Sequence, residues 1–598
     1  MSSSRNMINQ KIKALRAKMK ENKLDAYVIP SSDAHQSEYV NVHWQSREWI
    51  SGFTGSAGLV VITQDHAGLW TDSRYFIQAD TELAGSPVVL HKQGVPHAPE
   101  HNAWMRDNLP EGSTIGIDGK LFSIGQVQKM RKVVSPKNIT VNTEYDLIKE
   151  VWIDRPALPT NPIFEHKVKF TGQNRTTKLA TIRKEMEAQQ VAYHLVTTLD
   201  DVAWIFNIRC DDIEFNPLAI AYAVIGLEDA WLFINPAKVP AKLGAKFQRE
   251  NITVHSYNYI GKFLLNLPKS KKILINPATI SACLADLLTS GQIKRGVTIS
   301  TRLKAIKNST EIGHIRQAMA KDGVALLKMY LWLNKTLDSR TVSEFELAQQ
   351  LANFRKAQGL YHGESFAAIV GYQGNGAIVH YRPMPDTSAR IKKEGMLLLD
   401  SGGQYEDGTT DITRTFALGA VTEEQKRNYT LVLKGHIAIS SMVFPKGTKG
   451  IQLDAFARQP LWQYRLNYGH GTGHGVGFFL NVHEPPQGFA TSIARGNTAF
   501  EPGMVTSNEP GFYKTGEYGI RIENLILCVA DEENEFDTFY RFEDLTLFPI
   551  DKKLINKDLL SLQEIDWLNN YHQKVLAGLS PLVEGEALVW LTEACKKL

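Results

Sequence analysis

The sequence predicts a mixed α/β (α+β) protein. Two related N-terminal α/β domains, residues 1–157 and 158–301, precede a third domain, residues 302–598, in which helices cover a curved sheet. Three observations lead there. Helical and strand patterns alternate early in the chain. The same order returns after a Pro-rich link. Late strands and glycine-rich turns then carry Asp, His and Glu residues flanked by apolar ones. At 598 residues the chain has room for several domains of about 100–200 residues each.

In the first domain, Ile12, Leu15, Ala17 and Met19 predict an amphipathic helix ending near Asn22. Strands are expected at Asp25–Pro30, Gly58–Thr63 and Gly68–Thr71, with Trp49–Gly55 between the first two. Asp154–Pro162 is rich in proline and marks a boundary. Beyond it, Leu179–Met186 reads as a helix and Val191–Val196 as a strand. Asp201–Trp204 echoes Arg47–Trp49, and Trp231–Ile234 echoes the strand around Trp70. This repetition predicts a duplicated fold, the alternative being two unrelated α/β domains.

The third domain opens with Asn308 and Glu311, a capping-box pair ahead of a long apolar helix. Thr341 with Glu344 is expected to start a second helix that stops at Gly359, and Thr422 with Gln425 a third that ends before Pro445. Residues 541–598 predict a strand followed by two helices.

The chemistry sits between these helices. Leu397–Leu399 is an apolar run ending in Asp400; Asp407-Gly408 is a turn signal, and Asp411 leads into a returning strand. Two facing carboxylates resist joint ionisation. For this pair alone, a turn-forming role and a metal-binding role are equally open. Three later stretches favour metal: Gly469–Gly477 with His470 and His474, Gly503–Tyr513 with Glu509, and Gly519–Leu525 with Glu523. The last alternates like one continuous strand. Carboxylates are hard ligands that suit manganese or magnesium, and imidazole widens the range to zinc and cobalt. Four carboxylates and one His can hold two divalent ions about 3.5–4 Å apart that share a water.

The segments DSGGQYEDGTTDITRT, GHGTGHGVG, VTSNEPGFY and GIRIEN resemble the catalytic domain of the pita-bread metallopeptidases. Within them the chain is most similar to the long, three-domain aminopeptidase P family, whose first two domains are creatinase-like and duplicated. The resemblance implies a metal-dependent aminopeptidase that releases the N-terminal residue from peptides with proline second, by way of a dimetal-bridged hydroxide. It implies Asp400 as a ligand of one metal, Asp411 and Glu523 as bridges, and His474 and Glu509 as ligands of the second, with Glu509 also the general base. His380 and His483 match positions touching substrate and the developing oxyanion, and His470 one that positions substrate or shuttles protons. Arg521 stands two residues before Glu523, where orienting a bridging carboxylate and a plain buried salt bridge are both open. The implied cofactor is a pair of divalent ions, usually Mn2+, with Co2+ and Zn2+ open. A prolidase-type dipeptidase and a non-catalytic peptide-binding protein are the rival readings.

A net charge of +4 gives no case for nucleic acid. The longest apolar stretch, Leu218–Leu227, is too short for a bilayer, which needs about 20 residues. The N-terminal segment has no apolar core of a secretory signal. Cys210, Cys283, Cys528 and Cys595 are scattered, as suits free thiols in a reducing compartment. A cytoplasmic protein is expected. The family resemblance implies a homodimer, with Trp462 either an interface anchor or a core residue.

Overall fold

The computed structural model describes residues 2–598, with side chains from Asn6 onward. The chain forms two compact units. One runs through Glu165 and includes Gln173–Ser300; the other comprises His166–Gly172 and Thr301–Leu598.

The first unit holds two six-stranded sheets. Strands β1 (Ala26–Pro30), β2 (Leu59–Thr63), β3 (Ala67–Thr71), β4 (Val89–Lys92), β5 (Thr114–Ile117) and β6 (Thr140–Asn142) lie in the order β4-β3-β2-β1-β5-β6. Strands β7 (Tyr193–Val196), β8 (Tyr222–Gly226), β9 (Ala230–Phe233), β10 (Ile252–His255), β11 (Ile273–Ile275) and β12 (Ile293–Arg295) lie in the order β10-β9-β8-β7-β11-β12. The two orders are the same when each sheet is counted from its own first strand, so the domain is duplicated. Trp70 and Trp231 occupy the third strand of each sheet, opposite Leu59 and Val224 on the second.

Helices α1 (Ser2–Glu21) and α2 (Arg175–Ala188) precede the first strand of each sheet. Met19 and Met186 are fully buried on them. Ile12 and Leu15 share the buried face of α1, whereas Ala17 is exposed, because it lies off the stripe that Ile12, Leu15 and Met19 define.

In the second unit, α3 (Ser309–Leu337) starts at the capping box of Asn308 and Glu311. Helix α4 (Glu344–Lys356) is capped by Ser343, whose side chain accepts from Glu346 N. The expected Thr341–Glu344 cap is therefore displaced by two residues, because the Glu344 carboxylate is engaged elsewhere. The helix also ends at Lys356, ahead of Gly359. Helix α5 (Glu423–Ser440) has the expected Thr422–Gln425 box, and α6 (Gly450–Gln463) follows it.

These helices cover two sheets. Strands β13 (Ile369–Tyr372), β14 (Met396–Ser401) and β15 (Ile412–Ala417) are antiparallel in the order β13-β14-β15. Strands β16 (Val443–Pro445), β17 (Gly473–Gly475), β18 (Glu484–Phe489) and β19 (Val505–Asn508) belong to the larger sheet. Strands β20 (Gly511–Lys514) and β21 (Tyr518–Arg521) form a separate hairpin. With β22 (Asn524–Glu533) and β23 (Thr538–Asp544), the larger sheet runs β16-β23-β22-β19-β17-β18. The expected strand over Gly519–Leu525 is thus two strands, broken at Ile522-Glu523. The chain ends in α7 (Leu562–Leu579) and α8 (Gly585–Ala594), which share one hydrophobic core with α3 and α5.

All four cysteines are free thiols. Among the described residues no helix is long and apolar enough to cross a membrane.

Candidate metal centre

Strand ends supply the centre. Asp400 pairs in register with Thr413, and Ser401 with Ile412, so Asp411 stands just beyond the paired rungs of β14 and β15. In the larger sheet Asn508 pairs with Asn524. Glu509 and Glu523 are the next residues outward on each side of that pair. His474 is the middle residue of β17. Glu523 N donates to Thr413 O at 3.1 Å and Glu509 N to Thr472 O at 2.8 Å, which stitches these ends together. Gly473 is required for the approach: a Cβ there would lie 1.9 Å from Ser507 O.

One ligand atom from each of Asp411, His474 and Glu523 lies within 4.8 Å of the others. His474 Nε2 is 3.5 Å from Asp411 Oδ2 and 3.4 Å from Glu509 Oε1. Its Nδ1 lies 3.0 Å from Gly475 O, an acceptor only, so Nδ1 carries the proton and Nε2 presents its lone pair to the carboxylates. Asp400 Oδ1 is buried and accepts no hydrogen bond.

Burial, then the charges of Glu523 and Asp400, push the Asp411 carboxyl well above the usual carboxylate range. Burial and the charges of Glu509 and Asp400 do the same to Glu523. Burial lifts Glu509 to about 7 against the pull of the Arg521 guanidinium. Acceptors facing acceptors in a buried space, with one orphaned carboxylate oxygen, fit divalent cations.

Around the five groups lies a second set. Arg521 Nη2 is 2.5 Å from Asp400 Oδ2, Nη1 donates to Tyr513 Oη at 2.6 Å, and Nε donates to Thr413 Oγ1 at 3.1 Å. Of the two readings open for Arg521, the buried salt bridge is the one formed, and its partner is Asp400; Thr413 Oγ1, which accepts from Arg521, donates to Glu523 Oε2 at 2.7 Å. His470 Nδ1 donates to Gly471 O, so its Nε2 accepts from Tyr513 Oη at 2.8 Å. The His483 ring stacks edge-on to His474, centroids 4.2 Å apart. His380 is half-buried in the turn after a short helix, Gln373–Ala377. That helix lies flush on β21: a Cβ on Gly519 would fall 1.7 Å from Gly376 O. Tyr513, Thr413 and Ser507, which donates to Glu509 Oε1 at 3.1 Å, were not singled out by sequence reasoning. Tyr513 and Ser507 did stand in the Glu509 stretch, and their nearness to an expected ligand was the available signal.

Residues 313–530 match the metallopeptidase family M24, and residues 538–598 the C-terminal region of peptidase M24. Residues 11–150 and 154–311 each match a creatinase/prolidase N-terminal domain. A probable Xaa-Pro aminopeptidase P of Laccaria bicolor is 42% identical, over 98% of this chain and 93% of its own. The chain belongs to metallopeptidase family M24. A second M24 relative, Xaa-Pro aminopeptidase 1 of Dictyostelium discoideum, is 39% identical over 99% of this chain and 97% of its own. The crystal structure of X-prolyl aminopeptidase from Caenorhabditis elegans, described as a cytosolic enzyme with a di-nuclear active site, superposes with a TM-score of 0.95 at 33% identity. It covers 99% of this chain and 100% of its own.

Proposed function

We propose that this M24 protein is a metal-dependent aminopeptidase that releases the N-terminal residue from peptides with proline in second position. The observation that carries the reading is the convergence of Asp400, Asp411, His474, Glu509 and Glu523 on and just beyond strands of two sheets. Full-length similarity to Xaa-Pro aminopeptidases supports it.

Asp400, Asp411, His474, Glu509 and Glu523 would hold two divalent cations, with Asp411 and Glu523 between them; manganese is the assigned metal, ahead of cobalt and zinc. Bound there, the ions supply an activated water and polarise the scissile carbonyl. Glu509 takes the proton lost as water adds to that carbonyl and returns it to the proline nitrogen as the C–N bond breaks. His380 and His483 hydrogen-bond the substrate and the carbonyl oxygen as it gains charge. His470, fixed by Tyr513, orients substrate or relays protons, and Arg521 holds Asp400 in place. The bond before proline is a tertiary amide without an N–H, so the site cannot rely on that donor.

Three domains, 1–157, 158–301 and 302–598, are assigned, the last carrying the chemistry. A cytoplasmic homodimer is the proposed state. Trp462 is 45% exposed, which speaks against a core role and supports the proposed interface anchor. Sedimentation of the wild type and of Trp462→Ala checks it, dimer against monomer.

Activity is tested with Arg-Pro-Pro, Gly-Pro and Met-Ala-Ser, before and after chelation and manganese return. Cleavage of the tripeptide with proline alone, lost on chelation and restored by manganese, is the expected result. Turnover of Gly-Pro alone would make the protein a dipeptidase, and activity indifferent to chelation would remove the metal mechanism.

A further inference from the structure

We infer that Glu344 is the positioning residue that fixes His380 for the reaction; this rests on the activity proposed above. Glu344 is the first residue of α4 and its side chain is fully buried. Its carboxylate collects donors from four residues along the segment that carries His380. Oε1 accepts from Tyr372 N at 2.8 Å and Asn375 Nδ2 at 3.0 Å. Oε2 accepts from Tyr381 Oη at 2.7 Å and Ala389 N at 2.8 Å. Glu344 N in turn donates to Ala389 O at 3.1 Å.

These contacts bracket His380. Tyr372 ends β13, Asn375 lies in the short helix, Tyr381 directly follows His380, and Ala389 closes the loop. Between Tyr381 and Ala389 the chain has no helix or strand, and Met384 is half exposed. Local turns close parts of the segment, Tyr381 N to Ile378 O at 3.0 Å and Ser388 N to Met384 O at 3.1 Å, and a contact from outside is what joins its two ends. One carboxylate closes it at both ends, while the Gly376–Gly519 approach seats its start on β21, the strand that ends in Arg521. Burial and the bond to Glu344 raise the Tyr381 phenol, so its hydroxyl stays a donor.

Only a carboxylate suits this position. Each of its two oxygens faces donors, and an amide would turn an NH2 group on one set of them. Glu344→Gln keeps the volume and breaks the clasp. Tyr381→Phe removes a single donor and leaves the rest, so it serves as the second variant where Glu344→Gln does not fold.

Both variants are made in the full-length, manganese-loaded protein, alone and combined with His380→Ala. Metal content, kcat, KM and hydrogen exchange of residues 373–389 are measured. Glu344→Gln is expected to lower kcat about tenfold or more, as a displaced reacting group does, with metal content unchanged and exchange faster in that segment alone. Tyr381→Phe moves both in the same direction by less. In the His380→Ala background Glu344→Gln is expected to cost less than about twofold further, because the group it positions is gone. An equal loss in that background, or unchanged kcat in folded Glu344→Gln, overturns the inference. If the wild type cleaves no Xaa-Pro peptide, the proposed reaction fails instead. The exchange measurement still decides the clasp: unchanged protection of 373–389 overturns it without any substrate.

Discussion

Arg521 and Asp400 form a buried ion pair, 2.5 Å between Nη2 and Oδ2, that ties the β20–β21 hairpin to β14. The same guanidinium reaches Tyr513 and Thr413, so its planar fork serves three acceptors at once. Removing one partner of such a pair leaves an uncompensated charge. Arg521→Met is expected to cost about 3–5 kcal/mol of stability and to weaken metal retention. Arg521→Lys keeps the charge without the fork, so it restores part of the stability and little of the activity. Denaturant midpoints and metal stoichiometry check this; a lysine variant with wild-type kcat would reduce Arg521 to a charge balance.

Tyr513 Oη accepts from Arg521 and donates to His470, so its hydroxyl joins the Asp400 pair to the imidazole. Burial pushes its phenol up to about 12, so it stays protonated at working pH. Tyr513→Phe is expected to lower kcat about tenfold, less than the loss of a direct acid–base group, with metal content intact. Metal loss in this variant would place Tyr513 in support of the ligands rather than of His470.

Much of this arrangement was legible in the sequence because it is local. Asp400 after three leucines, Asp411 beyond Asp407-Gly408, and the glycines around His474 each announce a strand end or tight turn within a few residues. The duplicated sheets were legible through Trp70 and Trp231, which fall on the same strand of each copy. What depends on separate segments was not. Arg521 stands two residues from Glu523, and sequence spacing leaves its salt-bridge partner open; the partner is Asp400, 121 positions earlier. Glu344 was read as part of a cap, where residue type and spacing fit, and its carboxylate instead binds residues up to 45 positions later. Neither propensity nor periodicity carries such long-range pairing.

Metal removal should also change how stability depends on pH. Without cations, Asp411 and Glu523 have carboxyls raised by burial and by the carboxylates packed around them, whereas the unfolded chain releases those protons above about pH 4–4.5. Above that range the folded state therefore binds more protons than the unfolded one, and stability falls as pH rises. Cations take the place of the protons and remove the slope. The chelated protein is expected to lose denaturant resistance steadily between pH 5 and 8, and the manganese-loaded protein to stay nearly level. Parallel curves would mean that these carboxylates are neutralised by something other than metal.

Glu484 follows His483 directly, and its buried carboxylate meets Lys307 Nζ at 2.5 Å and Lys304 Nζ at 3.6 Å. All three side chains are fully buried, so this cluster fixes the residue next to a proposed substrate-binding histidine. Lys307→Met breaks the closer contact and leaves Glu484 with the longer one, an expected cost of about 3–5 kcal/mol. Adding Glu484→Leu removes that carboxylate but also takes it from the buried Lys304 ammonium, so the double variant should recover at most part of that stability, apolar replacement being neutral only where a whole buried cluster is exchanged. Activity should not recover with it, because nothing then fixes the turn at His483. Denaturant midpoints beside kcat separate the two effects, and a double variant that regains both would make the ion pair a matter of stability alone.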